Sequence, residues 1–414
     1  MNPPLWTLAW MFHTLWNAHP ADTMIPRRMW GSFGVAYAQS TCLNTDFLSL
    51  YLRGRYIGED VKVRSYDRLR AQNRAGSELS WGTLYAHQPN SGFMGRHKIG
   101  WHLHLSGTTL ATAYFGDDAA RLLLYGNAPW AGDTLRLEPA RFRTFTWQEL
   151  GGGLYQFRTF GRLRVRWIVS FNYVSPNQFF DGHLANGRLY TAPDGSWIHY
   201  AGRLQFCLSD PQNAFYFNPR GAGFSVHLAT GLRWKSSSFD IEIRDVGRLY
   251  WNIGTGHYAL DTVVQFGGVI VPHVLRLDTT FLRHLEDSIR QAFLRPLRKA
   301  RLATQLPTLL GLRFTGYFPG GRVGLTAQVR YRFFLFQRPE VALGLLTHPH
   351  PSVALLFSGQ YGGWGNWNGG FHLAAQMGRG WRLMLGTSML DGMLAPAYSS
   401  GLGGYICISK GWRR

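Results

Sequence analysis

His102 and His104 stand two residues apart, so an extended strand puts both imidazoles on one face, a spacing that can chelate zinc. A third ligand is not identifiable beside them, because His97 has the opposite parity and His87 lies across a loop. The pair therefore reads as histidines on a polar wall, with no metal assigned. His348-Pro349-His350-Pro351 reads as a turn between strands. Cys42, Cys207 and Cys407 are odd in number and lack metal-ligand spacing. No Gly-x-Ser-x-Gly elbow, Walker-type loop or His-Glu-x-x-His helix occurs. The glycine-rich stretch from Gly362 to Gly370 lacks the lysine and following helix of a phosphate loop and reads as a hairpin. No catalytic residue and no cofactor is assigned, and the chain is not read as an enzyme.

A second set carries charge rather than ligands. Arg162, Arg164 and Arg166 alternate with Leu163 and Val165, and Arg330 and Arg332 flank Tyr331. If these side chains line a lumen with His102 and His104, a positive field results, which selects anionic solutes. The alternative is pairing with Asp and Glu, which cannot be complete for 43 basic against 23 acidic residues. The excess is nearly all arginine, spread along the chain at strand-like spacing rather than clustered, so nucleic acid is set aside as a partner.

The elements that must position these residues follow from composition and period. Aromatics are 15% and charged residues 16%, with 49 glycines; a soluble domain averages about 25% charged. No run of 18 apolar residues marks a spanning helix, whereas a membrane strand needs only about 9–11 residues, alternately apolar. Val323 to Leu335, Phe224 to Trp234 and Leu163 to Tyr173 alternate apolar with polar residues over such lengths. Trp101, Trp130, Trp147, Trp197, Trp234, Trp251, Trp364, Trp367, Trp381 and Trp412 fall near strand ends, as aromatic girdles would. Two stretches break the rhythm: Thr280 to Phe293 and Asp117 to Tyr125 have helical spacing. Gly404 to Trp412 reads as the closing strand.

Arg27-Arg28, the apolar Met29 to Val35 and the small-x-small triplet Ala36-Tyr37-Ala38 have the order of a secretory signal and cleavage site. Residues 1–38 are accordingly expected to be an export segment, and 39–414 the barrel.

Several strings in order resemble an uncharacterised family of outer-membrane β-barrels typical of Bacteroidota, a domain of unknown function. They are Leu124-Tyr125-Gly126-Asn127, Gln148-Glu149-Leu150-Gly151, Gly221-Ala222-Gly223-Phe224, Asp245 to Trp251, Asp287-Ser288-Ile289 and Leu306-Pro307-Thr308. The resemblance implies an outer-membrane barrel and no particular activity; the arginine load departs from the family.

The expected fold is all-β, a closed antiparallel transmembrane barrel of roughly 12–16 strands with one or two short helices. The expected function is a porin-like or substrate-gated channel for small anionic or hydrophobic molecules, with outer-membrane lipid and small solutes as partners. The alternative is a non-conducting docking component of an envelope secretion or motility machine, partnered by other envelope proteins. An open, arginine-lined lumen favours transport; a sealed one favours docking.

Overall fold

In a computed structural model the described residues are 28–89, 99–209, 220–252, 255–267, 298–299 and 301–412. The helix expected over Thr280 to Phe293 lies outside them. The first strands are β1 (Arg28–Ser40), β2 (Asn73–His87), β3 (Ile99–Phe115), β4 (Thr134–Arg136), β5 (Ala140–Phe160) and β6 (Leu163–Thr191). There follow β7 (Trp197–Leu208), β8 (Gly221–Trp234), β9 (Ser237–Trp251), β10 (Gly256–Gly267), β11 (Arg298–Lys299), β12 (Leu302–Gln305) and β13 (Leu309–Tyr317). The last are β14 (Val323–Arg332), β15 (Arg338–His350), β16 (Val353–Gly363), β17 (Trp367–Met377), β18 (Trp381–Thr387) and β19 (Gly401–Trp412). Fourteen of them close an antiparallel ring in the order β1, β2, β3, β5, β6, β8, β9, β13 to β19, and back to β1.

The ring is inverted relative to a soluble sheet. On β14 Val323, Leu325 and Val329 are exposed, while Thr326, Gln328, Arg330 and Arg332 are buried. Leu325 is 51% exposed and Arg332 only 3%. Water would penalise that arrangement on both faces; hydrocarbon outside and a polar interior favour it. Trp101, Trp234 and Trp412 are exposed at one rim, and Tyr250, Tyr361 and Trp367 at the other, above and below a band that includes Leu103, Phe171 and Leu343. The chain is thus a transmembrane barrel of the outer-membrane type.

The two ends differ. Hairpins such as Gly161-Arg162, Lys235-Ser236 and Arg379-Gly380 turn tightly at the end that holds Arg28 and Trp412. The opposite end carries the long connections and the helices α1 (Thr45–Leu52), α2 (Glu59–Tyr66), α3 (Asp117–Tyr125) and α4 (Leu390–Leu394). Short turns on the periplasmic side and long connections outside are the rule for such barrels, which orients the chain. At the long-connection end Asn44 caps α1, its Oδ1 accepting from the Phe47 amide at 2.8 Å. Phe47, Leu48, Ile57, Val61 and Leu124 pack α1, α2 and α3 into a small apolar cluster with Cys42. The expected helix over Asp117 to Tyr125 is α3.

Three expectations change. Residues 28–38 are not separable from the barrel: β1 pairs with β2 from Arg28↔His87 to Ser40↔Ala75 and with β19 from Arg28↔Trp412 to Gln39↔Gly401. Alternate residues of the run read as a signal's core face the lumen, where Phe33 and Val35, with Tyr37 after them, are buried. The strand expected to reach Leu335 stops at Arg332, because Phe334 takes a left-handed conformation (φ 64°) and Leu335 turns into the core. Among the expected girdle residues, Trp147, Trp251 and Trp364 are instead buried inside, and Trp130 and Trp197 lie beyond the ring.

Candidate functional site

Contacts between strands that are not neighbours identify the lumen face. Arg332 on β14 reaches Glu78 on β2 at 3.5 Å, and the rings of His104 on β3 and His227 on β8 stack at 5.9 Å. Both contacts cross the interior. The layer they define is organised by a bulge. Register between β8 and β9 shifts between Val226↔Val246 and Leu228↔Ile243, so Arg244 and Asp245 together oppose His227. Asp245 takes φ 58°, a region where Asp is among the tolerated non-glycine residues. The consequence is that both neighbours point inward, and both are buried.

Asp245 then ties three strands. Its Oδ2 accepts from Arg332 Nη1 at 2.7 Å, and its Oδ1 lies 3.2 Å from His227 Nε2. The same His227 nitrogen is 3.5 Å from Glu149 Oε2 on β5. Nearby, Arg166 pairs with Asp240 at 3.4 Å and Arg330 with Glu340 at 3.7 Å. These buried carboxylates and guanidiniums are paired within the wall, as desolvated charges require.

The sequence-derived residues fall out as follows. His102, His104, Arg166, Arg330 and Arg332 sit on the inner face, buried. Arg164 shares that parity but is exposed near the turn end, and Arg162 is in the exposed β5–β6 hairpin, outside the lumen. Glu78, Asp240, Asp245 and Glu340 pair with Arg166, Arg330 and Arg332, so these inward arginines are locally compensated. The surplus cations lie at the ends, for example Arg53, Arg55 and Arg136 at one and Arg158, Arg322 and Arg379 at the other, all exposed. Sequence reasoning did not single out Glu149, His227 and Asp245. Their signal was parity: Glu149 and His227 occupy the polar face of their strands, where a buried acid needs a partner.

Towards the long-connection end two indoles are buried in the lumen. Trp364, in the loop between β16 and β17, donates to Thr112 Oγ1 at 2.7 Å. Gly76 is what admits it, since a Cβ there would collide with the Trp364 ring. Trp251 donates to Thr304 Oγ1 at 2.9 Å and stacks on Phe179 at 5.4 Å. Among the described residues these indoles and the charged layer occupy the interior.

Outside this plug stands an extension. Only Leu163 to Val174 of the 29-residue β6 pairs with β8 in the ring; Phe180 to Thr191 pairs with β7, which pairs with β10. A register shift opposite Pro176 to Gln178, at Thr146/Trp147, bends the hairpin where it leaves the barrel. At the base of the extension lies an open cleft of about 530 Å³, lined among others by Arg141, Arg143, His183, Phe206, Cys207 and Tyr258. Phe336, from the turn between β14 and β15, completes it. Phe206 and Tyr258 stack face to face, centroids 4.5 Å apart and 9° from parallel. Arg143 is held by Asp181 at 2.6 Å and by the Phe334 carbonyl at 2.7 Å, so the cleft wall is tied to a barrel turn.

No protein-family model and no curated protein matches the chain. Solved structures similar to it are outer-membrane barrels. The Pseudomonas putida toluene transporter TodX is 10% identical with a TM-score of 0.44, over 97% of this chain and 94% of that one. A TodX deltaS2S3 mutant described as a monoaromatic hydrocarbon channel has 9% identity and a TM-score of 0.48, over 96% and 94%. The Ralstonia pickettii toluene transporter TbuX has 8% identity and a TM-score of 0.46, over 94% and 90%. At these levels the likeness concerns barrel shape alone; ring closure and the inverted faces stand on the chain's own geometry.

Proposed function

We propose that the chain is a substrate-gated outer-membrane channel for a small molecule with an apolar, preferably aromatic, body and an anionic group. The observation that carries this reading is the cleft at the outer mouth, which has a pocket's size and a stacked aromatic wall beside Arg141 and Arg143. An occupant there would lie against Phe336, in the turn through which Arg143 grips the barrel. Since Trp251 and Trp364 are buried in the lumen below, passage requires these indoles to rearrange, which distinguishes gating from an open pore. The ordered strings noted above support placing the chain with the uncharacterised outer-membrane barrel group. The indoles buried in the lumen favour one other reading, a non-conducting docking platform for envelope proteins.

Cys207 reports on the cleft. It is half-buried in the cleft wall, and burial together with nearby Asp181 pushes its thiol up to about 11. Only the thiolate alkylates, so maleimide labelling of a variant lacking Cys42 and Cys407 should accelerate about tenfold per pH unit below that value. In refolded proteoliposomes an aromatic carboxylate at about ten times its Kd should slow labelling by roughly tenfold. Uptake of the same solute should exceed that of a neutral sugar of equal size. Labelling indifferent to aromatic carboxylates, together with no solute uptake, would leave the docking reading in possession.

A further inference from the structure

The lumen layer holds a feature that solute passage does not use. We propose that His104, Glu149 and His227 form a binding site for a divalent first-row transition metal, zinc being the type case, inside the barrel wall. The three residues come from β3, β5 and β8, and their donor atoms all lie within 4.8 Å of one another. Each is at most 4% exposed. Two imidazoles and one carboxylate are a ligand set that suits zinc and its neighbours, and slight contraction brings such donors to bonds of about 2.0–2.2 Å.

Three further observations point to a built site. First, space is made for the rings. A Cβ on Gly151 would collide with Asn172 Oδ1 and stand 2.7 Å from His104 Cε1, and one on Gly153 would stand 2.6 Å from His102 Cε1. Second, the carboxylate is aimed. Asn172 Nδ2 donates to Ser225 Oγ at 2.8 Å, and Ser225 donates to Glu149 Oε1 at 3.0 Å. Glu149 Oε2 is thereby turned to His227, the outer-shell support that metal carboxylates commonly have. Third, two carboxylates converge on one nitrogen: Glu149 and Asp245 both face His227 Nε2, at 3.5 and 3.2 Å. A divalent ion at this nitrogen would be held by Glu149 and the two imidazoles, while Asp245 stays paired with Arg332. His102, whose Nε2 meets Ser170 Oγ at 2.9 Å, belongs to the surround. The metal would brace β3 and β5 to β8 across the interior, directly beneath the indole plug.

The competing account is a metal-free imidazolium of His227 held between two carboxylates, and the test separates the two. Full-length chain without an affinity tag is refolded into liposomes with and without zinc or cobalt, washed with chelator and assayed for bound metal. The proposal expects one equivalent retained, a cobalt d–d spectrum, and a higher unfolding temperature for the metal-loaded barrel. Glu149→Gln and His104→Ala should each weaken binding by roughly 10–100-fold, and His348→Ala, at the turn end, should leave it unchanged. If His104→Ala yields no heat-modifiable band, the near-isosteric Glu149→Gln decides. Sub-stoichiometric metal in the wild-type barrel, or equal binding by Glu149→Gln, would overturn the proposal.

Discussion

Arg332→Met in the refolded barrel is expected to lower unfolding stability by roughly 3–5 kcal/mol, the range for removing one partner of a buried ion pair. Arg332 is 3% exposed, and its guanidinium meets Asp245 at 2.7 Å, the Pro307 carbonyl at 2.9 Å and Glu78 at 3.5 Å. Methionine fills much of the volume but strands two carboxylates. Glu78 keeps the Tyr37 and Ser80 hydroxyls as donors at 3.1 and 3.0 Å, so Asp245 suffers more. The double variant Arg332→Met, Asp245→Asn should therefore regain part of the loss, a coupling that independent sites would not show. Arg162→Met, in the exposed hairpin, should stay within about 0.5 kcal/mol of the parent. Urea titration followed by the heat-modifiable band measures all three. If Arg332→Met matches Arg162→Met, the charged layer does not hold the barrel together.

The barrel itself was legible in the sequence because a membrane strand inverts the usual meaning of its two faces. Val323 to Arg332 alternates apolar and polar over a full membrane strand, and the exposed Leu325 beside the buried Arg330 realises that period. Partners across the lumen were not legible. His104, Glu149 and His227 are far apart in the chain, and only the curvature of the closed sheet brings them face to face. Parity says which wall a side chain joins, not which strand it meets across the interior. The same limit applies to the arginines: counting bases against acids shows a surplus but not which arginines meet an acid, and Arg166, Arg330 and Arg332 do. Trp364 was misread for a related reason, because a loop tryptophan at a strand end serves equally as a girdle residue or as a plug.

A chain starting at Gln39 should fail to form a barrel, whereas one starting at Met24 should refold like the full chain. The segment that differs contains most of β1, whose register with β19 runs from Arg28 to Gln39 and with β2 from Arg28 to Ser40. Without it the ring opens, and β2 and β19 each present an unpaired edge to hydrocarbon. Each unsatisfied backbone group there costs several kcal/mol, so over a whole strand the deficit exceeds any domain's stability. Loss of Phe33, Val35 and Tyr37 also empties part of the lumen core, where Tyr37 packs on Trp364 at 5.9 Å and donates to Glu78. Basic residues, an apolar stretch and a small-x-small triplet describe a secretory signal and a short barrel strand equally well, and the truncation separates them. The heat-modifiable band should be absent for 39–414 and present for 24–414. Protein isolated from outer membranes with Gln39 as its first residue, and still folded, would show that the ring closes without β1.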